Sequence, residues 1–173
     1  MIHHRVAASL ILVILTAESS SSAQDLGAIG GHTEFGVLPV SGEPLSAVFG
    51  LGLDVALAHI DRWSMGAGAS GLIAVQTSQT GCGSHCPRGL GALGPSLEGG
   101  ATFGPLFVGA RVAPLVGYSN GYPGHEVAVW IHPWLVVGWS SAHLAIGAYC
   151  GYLAAVQGGP SGFDPGLQFT SFF

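Results

Sequence analysis

Past its first two dozen residues the chain settles into apolar positions alternating with small or polar ones. Turn-forming clusters break the alternation into eight stretches: Leu26–Leu38, Ser46–Ala58, Ser64–Gln76, Pro95–Phe103, Leu106–Gly117, His125–Gly138, His143–Val156 and Gly166–Phe173. A period of two sustained over such lengths predicts β-strands with one apolar face. Each stretch reaches or approaches the length, about 9–11 residues, at which a tilted strand crosses a bilayer. The connections alternate as well. Pro39–Leu45, Thr77–Gly94, Tyr118–Gly124 and Gln157–Pro165 are long and rich in Gly, Pro and Ser, whereas His59–Trp63, Gly104-Pro105 and Trp139–Ala142 are short. Long loops at one end and tight turns at the other are the habit of small membrane barrels, and an even strand number brings both termini to the turn end.

The short turns test this reading, because residues paired across a hairpin share a face. Around Gly104-Pro105, where Gly first suits a type II′ turn, Phe103 pairs with Leu106 and Leu97 with Val112 outside. Thr102 pairs with Phe107, Gly100 with Gly109 and Glu98 with Arg111 inside. Around Asp61, Leu53, Val55 and Leu57 pair with Ala69, Ala67 and Met65 outside. Asp54, Gly52 and Ala56 pair with Gly68, Ser70 and Gly66 inside. A turn at Ser140-Ser141 places Trp134 opposite Gly147, Trp130 opposite Gly151 and His132 opposite Tyr149. Large side chains set against glycines fill a narrow barrel without overpacking it. Two features resist the reading. Pro114 and Pro133 each remove a ladder donor inside a strand. The run from Val127 to Val156 is apolar enough for two transmembrane helices, although no Lys or Arg flanks it to set an orientation.

Composition narrows the class. Charged residues make up 8% of the chain, against roughly 25% in a soluble domain, so much of the outside must meet something apolar. Lysine is absent, and after the first segment Arg62, Arg88 and Arg111 stand against eight carboxylates. With no basic patch, nucleic acid is not an expected partner. Glycine, 29 of 173 residues, disfavours helix, while the mean hydropathy of +0.53 is high for a barrel. Met1–Arg5, the apolar run Val6–Ala17 and the small residues Ser21-Ser22-Ala23 read as an export signal cleaved after Ala23. That predicts a signal peptide over residues 1–23 and one barrel domain over 24–173.

The final stretch, Gly166-Leu167-Gln168-Phe169-Thr170-Ser171-Phe172-Phe173, places Leu167, Phe169 and Phe173 on one face and ends on an aromatic. This ending resembles the closing strand of bacterial outer-membrane barrels, and nearly all of the mature sequence resembles the small eight-stranded barrels of the OmpA-membrane-domain and OmpX kind. The resemblance implies an all-β, antiparallel, up-and-down transmembrane barrel in the outer membrane of a Gram-negative bacterium. It implies Leu167, Phe169 and Phe173 as the signal read by the barrel-assembly machinery, outer-membrane lipid as the surrounding partner, and no open pore. The expected role is structural or interactive through the outer loops, with an extracellular ligand or surface partner. A lipid-modifying acylase or deacylase and a helical inner-membrane protein are the alternatives.

Side-chain chemistry gathers in three places. His32, Glu34, Asp54, Glu98, Arg111 and His132 fall on the inward face, predicting an ion-pair network in a filled lumen. Cys82 and Cys86 share the longest loop and in an oxidising compartment predict a disulfide; metal binding with His85 lacks a fourth ligand. Cys150 falls on the outward face. Ser140, Ser141, His143, His59 and Asp61 belong to the short turns, and His125-Glu126 has no strand-borne serine beside it. No catalytic set, metal or cofactor is expected.

Overall fold

The computed structural model describes residues 29–40, 45–76, 89–120, 127–141 and 143–172. Eight strands follow in chain order: β1 (Ile29–Leu38), β2 (Ser46–Ile60), β3 (Trp63–Gln76), β4 (Gly89–Phe103), β5 (Leu106–Asn120), β6 (Val127–Ser140), β7 (Leu144–Gln157) and β8 (Gly162–Phe172). Each pairs antiparallel with its neighbour, and β8 pairs back onto β1 through Gly30–Phe172 to Gly36–Gly166, closing an up-and-down barrel. The all-β expectation holds. The run read alternatively as two helices is β6 and β7, and among the described residues no helix is long and apolar enough to cross a membrane. The segment 1–28, the Cys82–Cys86 loop, His125-Glu126 and Phe173 lie outside the described residues.

The alternation sorts by polarity. Leu53, Leu93, Leu97, Leu135, Val137 and Leu167 stand exposed on the outer wall, while Asp54, Ser96, Arg111, His132 and Gln168 are buried inside. Exposed aromatics mark both ends of the wall: Trp63, Phe103 and Trp139 near the short turns, Tyr118, Tyr152 and Phe163 towards the long connections. Cys150 faces outward, as its parity requires.

The hairpin at Gly104-Pro105 has the expected register, with Phe103 opposite Leu106, Glu98 opposite Arg111 and Leu97 opposite Val112. Gly104 takes φ +62°, the left-handed first position of a type II′ turn. At Asp61 the register matches as far as Ala56–Gly66 and then shifts. Met65 pairs with Ala58 rather than Leu57, because Leu57 is the extra residue of a bulge and the turn narrows to Asp61-Arg62. Asp61 adopts φ +53°, which aspartate tolerates better than most residues.

The β6–β7 register differs from the expectation by four residues. Gly138, not Trp134, pairs with Gly147; Trp134 pairs with Gly151, Trp130 with Ala155 and Val136 with Tyr149. β6 runs to Ser140 and β7 starts at Leu144, so Ser140 belongs to the strand, and Ser141 donates to Leu144 O through both its amide (2.8 Å) and its hydroxyl (3.1 Å). Two strands also begin well before their expected starts, β4 at Gly89 instead of Pro95 and β8 at Gly162 instead of Gly166. The prolines are accommodated by interruptions of pairing. Between Leu93–Val116 and Leu97–Val112 the β4–β5 ladder lapses, and the register there sets Pro95 against Pro114. Neither has an N–H, so both donors of that pair are missing. Pairing of β6 with β7 lapses similarly at His132-Pro133.

Candidate functional site in the barrel lumen

Inward side chains divide the lumen into layers. At the end of the long connections Leu38, Val48, Leu72, Leu90, Leu115, Trp130 and Leu153 form a buried apolar layer. Trp130 is wholly buried, and its Nε1 donates to Pro160 O at 2.9 Å, satisfying the indole in that apolar setting. At the short-turn end lies a chamber of about 510 Å³. Gly100, Gly109, Thr102 and Phe107 form part of its wall, with His59, Ser64 and Ser140 towards the rim. Backbone bonds tie that rim together: Thr102 N donates to Arg62 O (2.9 Å) and Ser140 N to Pro105 O (2.7 Å).

A polar layer separates the two, and Arg111 organises it. Its Nε and Nη2 donate to Glu98 Oε2 at 3.1 and 2.6 Å, and Nη2 also donates to Asp54 Oδ2 at 3.0 Å. Nη1 lies against His32 Nε2 and 3.7 Å from Glu34 Oε1. His32 Nδ1 is 2.7 Å from Asp54 Oδ2. Nδ1–H donating to Asp54 while Nε2 accepts from Arg111 is the tautomer that fits both contacts. Ser96 adds a longer bond to Asp54 Oδ1, 3.4 Å. Five of the six residues expected in this network therefore meet, drawn from β1, β2, β4 and β5.

His132 does not join them directly. It stacks on Trp134 (ring centroids 4.7 Å apart) while the Arg111 guanidinium lies 5.0 Å from the centroid of the same indole. Its Nε2 is 3.2 Å from Asp164 Oδ2, and Tyr149 Oη donates to Asp164 Oδ1 at 3.0 Å. Glycines make room for this second cluster. Asp164 sits on β8 directly opposite Gly151 of β7, and His132 reaches from β6 across that glycine. A Cβ at Gly151 would stand 2.7 Å from His132 Nε2. Trp134 Nε1 continues the chain to Gln168 Oε1 (3.4 Å), whose amide donates to Thr170 Oγ1 (3.0 Å).

Asp164, Tyr149, Gln168 and Trp134 were not among the expected site residues. Asp164 was assigned to the connection before β8, yet Phe163, Pro165 and Leu167 point outward around it with the same period of two. Ser141 spends its hydroxyl on its own turn, donating to Leu144 O. Among the described residues no group of three or more His, Cys, Asp or Glu is arranged to hold a metal ion.

A closed eight-stranded antiparallel barrel with an apolar exterior and a polar, side-chain-filled waist is the architecture of small β-barrel membrane proteins. No family profile and no curated protein matches the sequence. Four solved chains match; one is Ail, the attachment invasion locus protein of Yersinia pestis, at 10% identity and a TM-score of 0.49, covering 85% of this chain and 97% of that one. The fold assignment rests on the strand registers of this chain.

Proposed function

We propose that the protein is exported by a signal peptide over residues 1–23 and folds as an integral outer-membrane barrel. In this reading it serves a structural or surface-interaction role through the connections at its long-loop end. The carrying observation is the inversion of polarity: the outer wall exposes leucine, valine and aromatic side chains from all eight strands, while carboxylates and Arg111 are buried within. An apolar surface of that extent needs a lipid surround. Lipid in turn demands that every strand be paired, which closure supplies. The apolar layer of Leu38, Leu115, Trp130 and Leu153 argues for a lumen without a through-channel, leaving the loops as the parts that can engage a partner.

The test is migration on a gel before and after boiling, with membrane fractionation and an epitope inserted at Gly83. A folded barrel shifts mobility on heating, fractionates with the outer membrane and is labelled on intact cells. Labelling only after the outer membrane is breached would invert the topology, and absence of a heat shift would count against the barrel. Phe173→Asp is expected to abolish outer-membrane assembly while sparing export; normal folded levels of that variant would remove Leu167, Phe169 and Phe173 as the assembly signal.

A further inference from the structure

The chamber at the short-turn end is the part of the lumen that the structural role does not use. Its volume lies in the range of small-molecule sites. One wall is smooth: Gly100 and Gly109 face each other across the β4–β5 pair. Phe107 and Val136 contribute apolar surface, and Gln168 and Thr170 contribute polar atoms opposite.

The floor carries Glu98 and Arg111, and Arg62 and His59 stand at the rim. Glu98 lines the chamber and keeps 35% of its side chain accessible, whereas the Arg111 side chain is only 4% accessible. The guanidinium is committed to Glu98, Asp54 and His32, so it has little left for an incoming anion. Glu98 in contrast uses only Oε2 on Arg111; Oε1 makes no hydrogen bond or ion pair among the described residues. Behind it stand three more carboxylates, Glu34, Asp54 and Asp164, which share Arg111, His32 and His132 as partners. Within low-dielectric walls the free, accessible Glu98 oxygen attracts a cation more strongly than it would in open water.

We propose that this chamber binds a small primary ammonium compound with an apolar or aromatic body, its charged head on Glu98 and its body against Phe107, Val136 and the glycine wall. The inference goes beyond the surface role and does not depend on which way the loops face.

The experiment uses the full barrel refolded in zwitterionic micelles, titrated with benzylammonium and separately with benzyl alcohol. Backbone amide shifts at Thr102, Gly109 and Thr170 are the readout. Benzylammonium should give saturable shifts at those residues, with benzyl alcohol at least about tenfold weaker, since only the ammonium makes a charge-assisted bond. Glu98→Gln should erase the preference, and Ser64→Phe, which fills the mouth, should abolish both responses. Equal binding of the two probes, no saturable shift with either, or shifts that survive Ser64→Phe would overturn the proposal. The probe pair on the unaltered protein and Ser64→Phe decide the matter even where Glu98→Gln does not refold.

Discussion

The two ends of the lumen are lined by the same eight strands and differ in the volume those strands send inward. On β5 the inward residues from the middle to the long-connection end are Arg111, Ala113, Leu115, Gly117 and Ser119, and all are buried except half-buried Gly117. Towards the turn the inward positions are Gly109 and Phe107, bordering open space. Gly117 and Gly109 are the same residue type on one strand, yet their surroundings differ. A Cβ at Gly117 would overlap Gly91 O and stand 2.5 Å from Ala92 Cα; at Gly109 its nearest neighbour is a terminal methyl, Val136 Cγ1, at 3.1 Å. A barrel wall therefore does not fix how full its interior is. Side-chain size at each inward position does, and the Arg111 layer is the boundary between a packed half and a hollow one.

The largest expected effect comes from removing that boundary. Arg111→Met leaves Asp54, Glu98 and Glu34 without their shared cation and should destabilise by about 3–5 kcal/mol, read as the urea midpoint of protein refolded in lipid vesicles. Glu98→Gln should be clearly milder, because Asp54 and His32 still hold the guanidinium and Glu98 is partly accessible; equal losses in the two variants would break the picture of Arg111 as the hub. Next comes the packed half. Trp130→Ala empties a fully buried site and loses the bond to Pro160, for about 3–5 kcal/mol in the same assay, and a neutral result would mean that half is not packed. Smaller again is Gly117→Ala, where overpacking against backbone should cost about 1–3 kcal/mol. Its counterpart Gly109→Ala should stay within about 0.5 kcal/mol, as substitutions away from packed features usually do. Equal effects of the two alanines would erase the distinction between the halves.

How much of this was legible in the sequence depended on the turn chemistry. Gly104-Pro105 admits few backbone conformations, so it fixed the register of β4 against β5 and with it the opposition of Glu98 and Arg111. Ser140-Ser141-Ala142-His143 carries no comparable instruction. The β6–β7 slip of four residues is even, so every side chain keeps its face, and hydrophobic alternation cannot detect such a slip. His32 and Glu34 rested on parity alone, whereas Asp54 had the hairpin register at Asp61 as well. His132 was placed correctly inside, but its partner was not, because Asp164 stands among Gly162, Pro165 and Gly166, which resemble a loop. The Leu57 bulge escaped for a related reason: nothing in Ala56-Leu57-Ala58 marks which residue will be the extra one.

Closure of β8 onto β1 has a consequence for chain order. Gly30 and Phe172 are directly opposed, so the first and last described strands end as cross-strand neighbours, about 4.5–5.5 Å apart at Cα. A short linker could join them, and new ends could be opened at Gly104-Pro105 without interrupting any strand. Such a circular permutant would keep all eight pairings of the barrel while moving the aromatic ending of β8 to the interior of the chain. It would end instead on β4, at Phe103, another aromatic at the short-turn end. The geometry of the cylinder and the assembly signal proposed for β8 would then become separately testable properties of one sequence.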